Sequence, residues 1–142
     1  MRVLVVEDEV RLARHIASAL TEAGDDPVVI HDGEEALRRA VDAPFDLIVL
    51  DIGLPNMNGI DTARAIRKLV PHARIVFLTQ EASTDMVREA FSLGACGYVL
   101  KAYAGDELLG ALQAAVHCKE FVSNGLGRDV TRETKTVQFS EK

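Results

Sequence analysis

The sequence predicts a parallel α/β fold in three layers, a five-stranded sheet held between two layers of helices. Three observations predict it. Short β-branched apolar runs alternate five times with longer segments of helical period. The runs are continuously apolar, as strands covered on both faces must be. The chain has 142 residues, 48% hydrophobic and 27% charged, which suits one ordinary domain with one core.

The strands are Val3-Leu4-Val5-Val6, Val28-Val29-Ile30, Leu47-Ile48-Val49-Leu50, Ile75-Val76-Phe77-Leu78 and Tyr98-Val99-Leu100. Apolar stripes at helical spacing fill the intervals: Ala13, Ile16, Ala17 and Leu20; Ala36, Leu37, Ala40 and Val41; Ala63, Ile66, Leu69 and Val70; Met86, Val87, Ala90 and Phe91; Leu108, Leu112, Ala115 and Val116. Gly24 and Gly94 follow helices, Asp32 caps the second with Glu35 three residues on, and Pro71 closes the third. Right-handed crossovers then lay each helix over a sheet face. The pattern defines a domain over residues 1–118. Residues 119–142 are expected to be a tail or linker with no second domain, being too few for a helix-turn-helix unit. Thr136, Gln138 and Ser140 alternate with Val137 and Phe139, which allows a short strand there. Cys96 and Cys118 lie outside any metal-ligand or C-x-x-C spacing and are expected to be small buried hydrophobes.

Charge narrows the function. The formal net charge is −6; residues 1–118 hold 11 Lys+Arg and 18 Asp+Glu (−7), and the remainder holds 5 and 4 (+1). An acidic folded part is unsuited to nucleic acid, whose binding needs a basic surface to displace counterions. The first apolar run stops at Glu7-Asp8-Glu9, so no signal peptide is expected. No run approaches the ~18 apolar residues of a membrane span, and a cytoplasmic protein without membrane partners is expected.

Ligands of parallel α/β sheets bind beyond the carboxyl ends of the strands. The first strand delivers Glu7 and Asp8 to that edge, the third Asp51, the fourth Thr79 and the fifth Lys101. Two unit charges ~4 Å apart repel by about 4 kcal/mol at an effective dielectric near 20, so three clustered acids need an offset. A divalent cation supplies it, and an all-oxygen ligand set favours magnesium. A protonated carboxyl or the Lys101 ammonium are the other ways. With a cation, Asp51 is placed to accept a phosphoryl group, Lys101 and Thr79 facing the phosphoryl oxygens; the Gly53 carbonyl in the loop that follows could complete the coordination.

Glu7-Asp8, Asp51-Ile52-Gly53-Leu54-Pro55-Asn56-Met57-Asn58-Gly59, Leu78-Thr79 and Gly97-Tyr98-Val99-Leu100-Lys101, in that order, resemble the receiver domain of bacterial two-component response regulators, the CheY-like family. The likeness runs from Arg2 to Cys118. It implies a flavodoxin-like strand order 2-1-3-4-5 and phosphorylation of Asp51 by a sensor histidine kinase or phosphotransfer protein. It further implies Mg²⁺ on Asp8, Asp51 and the Gly53 carbonyl, with Glu7 acting through water. Lys101 would pair with the phosphoryl group and Thr79 would bond one of its oxygens. Tyr98 would be an aromatic switch that turns inward as Thr79 moves, altering the face of the fourth helix, fifth strand and fifth helix. That face would serve output or homodimerisation, as in transcription regulators.

Each residue also has a plainer role. Glu7-Asp8-Glu9 could be the acidic first turn of a helix, Lys101 a structural ion pair, Thr79 a helix cap, Tyr98 core filler. His15, His31, His72 and His117 are scattered and expected at the surface or in packing. Two positions depart from the family: Gln80 stands where a small residue is common, which should slow bulky phosphodonors, and Ala102 replaces a frequent proline, so a trans bond is expected. Residues 1–60 resemble receivers joined to winged-helix regulators, and 74–123 those joined to LuxR-type regulators. Other functions fit less well. A Mg²⁺-dependent aspartyl phosphatase usually has a second Asp two residues on, where this chain has Gly53. A nucleotide-binding module would not place acids in its first turn, and a mere binding module needs no Asp51, Thr79 and Lys101.

Overall fold

A computed structural model of the chain describes residues 1–54, 57–80 and 83–117, and the backbone of 121–122. β1 (Arg2–Val6), β2 (Asp26–Ile30), β3 (Leu47–Asp51), β4 (Ile75–Thr79) and β5 (Gly97–Leu100) are followed in turn by α1 (Val10–Glu22), α2 (Gly33–Asp42), α3 (Gly59–Leu69), α4 (Thr84–Ser92) and α5 (Ala104–Val116). Every strand pairing is parallel. The order 2-1-3-4-5 holds, with one correction. A short β6 (Phe121–Val122) adds to the outer edge of β5, so the sheet has six strands rather than five. Two residues are too few to show any period in a sequence. The character of Cys118 and the strand considered near 136–140 lie outside the described residues.

β1, β3, β4 and β5 are buried on both faces apart from Arg2, whereas β2 is half-exposed at the other edge. That edge position explains how β2 begins two residues earlier than its apolar run and includes Pro27, which has no N–H to give a further strand. One core layer packs Leu4, Val6, Leu50, Phe77 and Tyr98 under α2, α3 and α4. The other packs Val3, Val5, Val49, Leu78 and Val99 under α1 and α5.

The helix signals work locally. The Asp32 carboxylate accepts from the Glu35 amide at 2.8 Å, Asn58 from the Asp61 amide at 2.9 Å and Ser83 from the Met86 amide at 3.3 Å, each satisfying an orphan first-turn donor. Gly24 and Gly94 take φ of 89° and 83°, the left-handed conformation that ends α1 and α4. Two stripe residues are exposed instead of buried: Val41 at 49% and Leu69 at 62%. Each three-residue step falls about 60° behind a helical turn, so Leu69 has rotated out of the face set by Ile60, Ala63 and Ile66. Val41 lies about 100° round from buried Ala40 for the same geometric reason. Among the described residues no peptide bond is cis, Ala102 included, and no helix is long and apolar enough to cross a membrane.

Candidate functional site

Strand register brings the site together. Val6 pairs with Leu50, so Glu7 stands level with Asp51; Asp51 pairs with Leu78, and Thr79 with Leu100, so Lys101 follows one step beyond Thr79. Five residues far apart in the chain thereby reach one sheet edge. Glu7, Asp51 and Thr79 are buried there, while Asp8 is exposed at the mouth.

Lys101 is the hub. Its ammonium lies 2.9 Å from Glu7 Oε1 and 3.1 Å from Asp51 Oδ2, and it donates to Glu7 Oε2 at 3.2 Å. The Lys101 side chain is 12% exposed, against 0% and 2% for the two acids, so solvent screens these pairs little. Backbone amides hold the remaining oxygens: Glu9 N–H donates to Glu7 Oε2 and Gly53 N–H to Asp51 Oδ1, both at 2.9 Å. Glu7 Oε1 and Asp51 Oδ2 are buried and accept no hydrogen bond, so charge pairing with Lys101 is what stabilises them.

Protonation follows from burial. Burial pushes the Glu7 carboxyl up to about 7, against the opposing Glu9 amide and Lys101. Burial also raises Asp51, and the neighbouring Asp8 carboxyl raises it further. For Asp8 burial works upward too, but bonding to the side chains of Asp51 and Glu7 outweighs it and holds the group below the usual carboxylate range. Burial would lower Lys101; the Glu7 and Asp51 carboxylates outweigh that and raise it. The site has three acids and one cation.

One carboxylate oxygen from each of Glu7, Asp8 and Asp51 lies within 4.8 Å of the other two. This cluster could hold a metal ion. Hard oxygen donors and buried oxygens without hydrogen bonds fit a small divalent cation, which would supply the missing positive charge.

Other residues support the cluster from outside it. His31 Nδ1 bonds the Glu7 carbonyl oxygen at 2.9 Å, and the Glu7 amide donates to Ile30 at 3.0 Å, tying the acidic turn to the end of β2. Its place just after the second apolar run was the signal that could have marked His31. Buried Thr62 donates to the Asn58 carbonyl at 2.9 Å and bonds the Met57 carbonyl at 3.3 Å, bracing the loop after Asp51. A Cβ on Gly59 would land on the Asp51 carbonyl oxygen and 2.6 Å from Ile52 Cα, so only glycine lets α3 start this close. Tyr98 is not at the acid cluster. It is fully buried in the layer beneath α4, its ring centroid 6.4 Å from that of Phe77.

Comparison with known proteins agrees with this geometry. Residues 3–113 match the family described as response regulator receiver domain. The transcriptional regulatory protein KdpE of Mycobacterium tuberculosis is 39% identical over 114 residues, 80% of this chain and 50% of that protein. The two-component response regulator PhoP of Pseudomonas aeruginosa is 38% identical over 114 residues, 80% of this chain and 51% of that protein. This chain thus spans about half the length of those relatives. Among solved structures, a LuxR-family two-component response regulator from Aurantimonas sp. SI85-9A1 superposes with a TM-score of 0.86 at 28% identity, covering 93% of this chain and 96% of that one. The chain therefore belongs to the response regulator receiver domain family.

Proposed function

We propose that the chain is the phosphoacceptor switch of a two-component system, taking a phosphoryl group on Asp51 from the phosphohistidine of a sensor histidine kinase or phosphotransfer protein. One observation carries this: Lys101 Nζ bridges two buried carboxylates, Glu7 and Asp51, beside an exposed third, Asp8. The arrangement is costly as mere structure and suits a site awaiting a cation and an oxyanion.

In the transfer the N–P bond of the phosphohistidine breaks and a P–O bond to Asp51 forms; later attack by water on phosphorus frees phosphate and restores the carboxylate. Glu7 (through water), Asp8, Asp51 and the Gly53 carbonyl would hold Mg²⁺, which when bound neutralises the phosphoryl oxygens. The Gly53 amide fixes one Asp51 oxygen, and the other, which lies against Lys101, would be the one that takes the phosphoryl group. Lys101, released in part from Asp51 as that oxygen is esterified, would pair with the phosphoryl group, and Thr79 would donate its hydroxyl to it. Thr79 and Tyr98 then relay the change along β4 and β5 to the face of α4, β5 and α5, which serves output or homodimerisation. Such a chain works in the cytoplasm without membrane or nucleic-acid contacts of its own, and it changes its own state rather than turning over an external substrate. The residue two after Asp51 is Gly53, with no acid to serve a phosphatase.

Intact-mass analysis after acetyl phosphate and Mg²⁺ tests it. One phosphoryl adduct is expected on the wild type and none on Asp51→Asn. An adduct that survives Asp51→Asn would overturn the assignment.

A further inference from the structure

A sheet of five strands would end at β5, leaving its outer hydrogen-bonding edge open. In this chain Phe121–Val122 pairs in parallel along that edge, Gly97 with Phe121 and Tyr98 with Val122. α4 belongs to one core layer and α5 to the other, so the strip of sheet edge framed by these two helices is the edge on which β6 lies. In chain order β5, α5 and β6 follow one another, and β6 lies parallel to β5, so the three make one more strand-helix-strand unit. The middle of the α4–β5–α5 face is thus occupied by the chain itself.

We propose that β6 is a cap in cis, covering the β5 edge that a second copy of the chain would approach, so that the face self-associates only when β6 leaves. This rests on α4–β5–α5 being the output face. Three observations support it. The cap is short: a two-residue ladder rests on few backbone hydrogen bonds, each of small net worth against water, so it can be displaced. It is bonded to the strand that carries Tyr98, whose ring is packed inward on Phe77, so a change at β5 reaches it directly. The elements next in the chain after β5 each keep a large apolar side chain open to a second copy, Tyr103 at 44% exposure in the turn after β5 and Leu109 at 40% on α5. The plainer role, protection of an edge strand against indiscriminate pairing, predicts aggregation that ignores the phosphoryl state.

The test uses the full chain in sedimentation velocity with Mg²⁺, with and without the phosphoryl mimic beryllofluoride. In the double variant Phe121→Pro/Val122→Pro the ladder cannot form, because proline has no N–H to donate. Its beryllofluoride-dependent dimer is expected to be at least tenfold tighter than that of the wild type, with Mg²⁺ binding and acetyl phosphate labelling within twofold. In the wild type, amide exchange at 121–122 should rise at least tenfold at concentrations where the dimer forms, a measurement that needs no variant. Equal dimer affinities, a wild-type dimer with 121–122 still protected, or aggregation independent of beryllofluoride would each overturn the cap. Absence of any acetyl phosphate adduct on the wild type would instead defeat the phosphoacceptor reading beneath it.

Discussion

Lys101 sets the charge balance of the site, and removing it isolates two buried acids. Breaking a buried pair by deleting one partner costs about 3–5 kcal/mol, because the remaining charge has lost both water and counter-charge. Lys101→Met should therefore lose roughly 3 kcal/mol in urea unfolding with EDTA present, and Mg²⁺ should return a good part of it by neutralising Glu7 and Asp51. An equal loss with and without Mg²⁺ would mean that packing of the lysine stem, not charge, is what matters. Gly59 acts sterically. Because its Cβ would meet the Asp51 backbone, Gly59→Ala should cost ~2 kcal/mol, within the range of overpacking, and slow acetyl phosphate labelling by displacing Asp51. Labelling at the wild-type rate would show that the β3–α3 loop shifts independently of the acceptor. Gln80 is exposed just beyond Thr79, which keeps the hypothesis that it narrows access for phosphodonors. Gln80→Ala should speed labelling by bulky donors more than by acetyl phosphate; identical ratios would refute it.

At the scale of elements, the position of α4 is set more by polar ties than by burial. Val87 and Ala90 are its only fully buried residues among those described. Its C-terminal end is held by Arg67 of α3, which donates from Nε to Leu93 O at 3.0 Å and from Nη2 to Gly94 O at 3.2 Å. The same guanidinium reaches Pro71 O at 2.8 Å and Ala73 O at 2.6 Å through Nη1, while Arg64 bridges to Glu89 at 2.8 Å. Arg67→Met should cost ~2 kcal/mol, since water can re-solvate some of these half-buried carbonyls. Amide exchange should rise most around Leu93–Ala95, and a uniform rise across the domain would argue against a local tie. Nothing in the sequence announces this clamp, because its acceptors are main-chain carbonyls that any residue carries. The strands were legible for the opposite reason: burial on both faces demands unbroken apolar runs such as Leu47–Leu50. The site was legible because a parallel sheet sends the residue after every strand to one edge, which is why Glu7, Asp8, Asp51, Thr79 and Lys101 could be gathered without coordinates. Depth was not legible. The sequence places Tyr98 on a strand but cannot say that its ring lies fully under α4, and a two-residue strand such as β6 leaves no periodic trace.

For the whole molecule, an acidic chain that concentrates three carboxylates at one edge should be stabilised by the ion it gathers. Binding only to the folded state adds RT ln(1 + [L]/Kd), about 2.7 kcal/mol at a hundredfold excess over Kd. Asp8 is the acid through which this coupling is best measured, because it is exposed at the mouth of the cluster, whereas Glu7 and Asp51 are buried and paired with Lys101. Asp8→Asn removes one negative charge from the cluster together with the bonds its carboxylate makes to the Asp51 and Glu7 side chains, so without divalent ions its stability should fall slightly below that of the wild type. Mg²⁺ should then raise the wild-type unfolding midpoint progressively with concentration and leave that of Asp8→Asn nearly unchanged. Calcium, larger and less demanding in geometry, would separate a selective site from simple charge neutralisation if its effect is smaller than that of magnesium at equal concentration. A wild-type midpoint that responds equally to Mg²⁺ and to the same ionic strength of NaCl would mean that the −6 chain is merely being screened, and the three carboxylates would then be a repulsive cluster held by Lys101 alone.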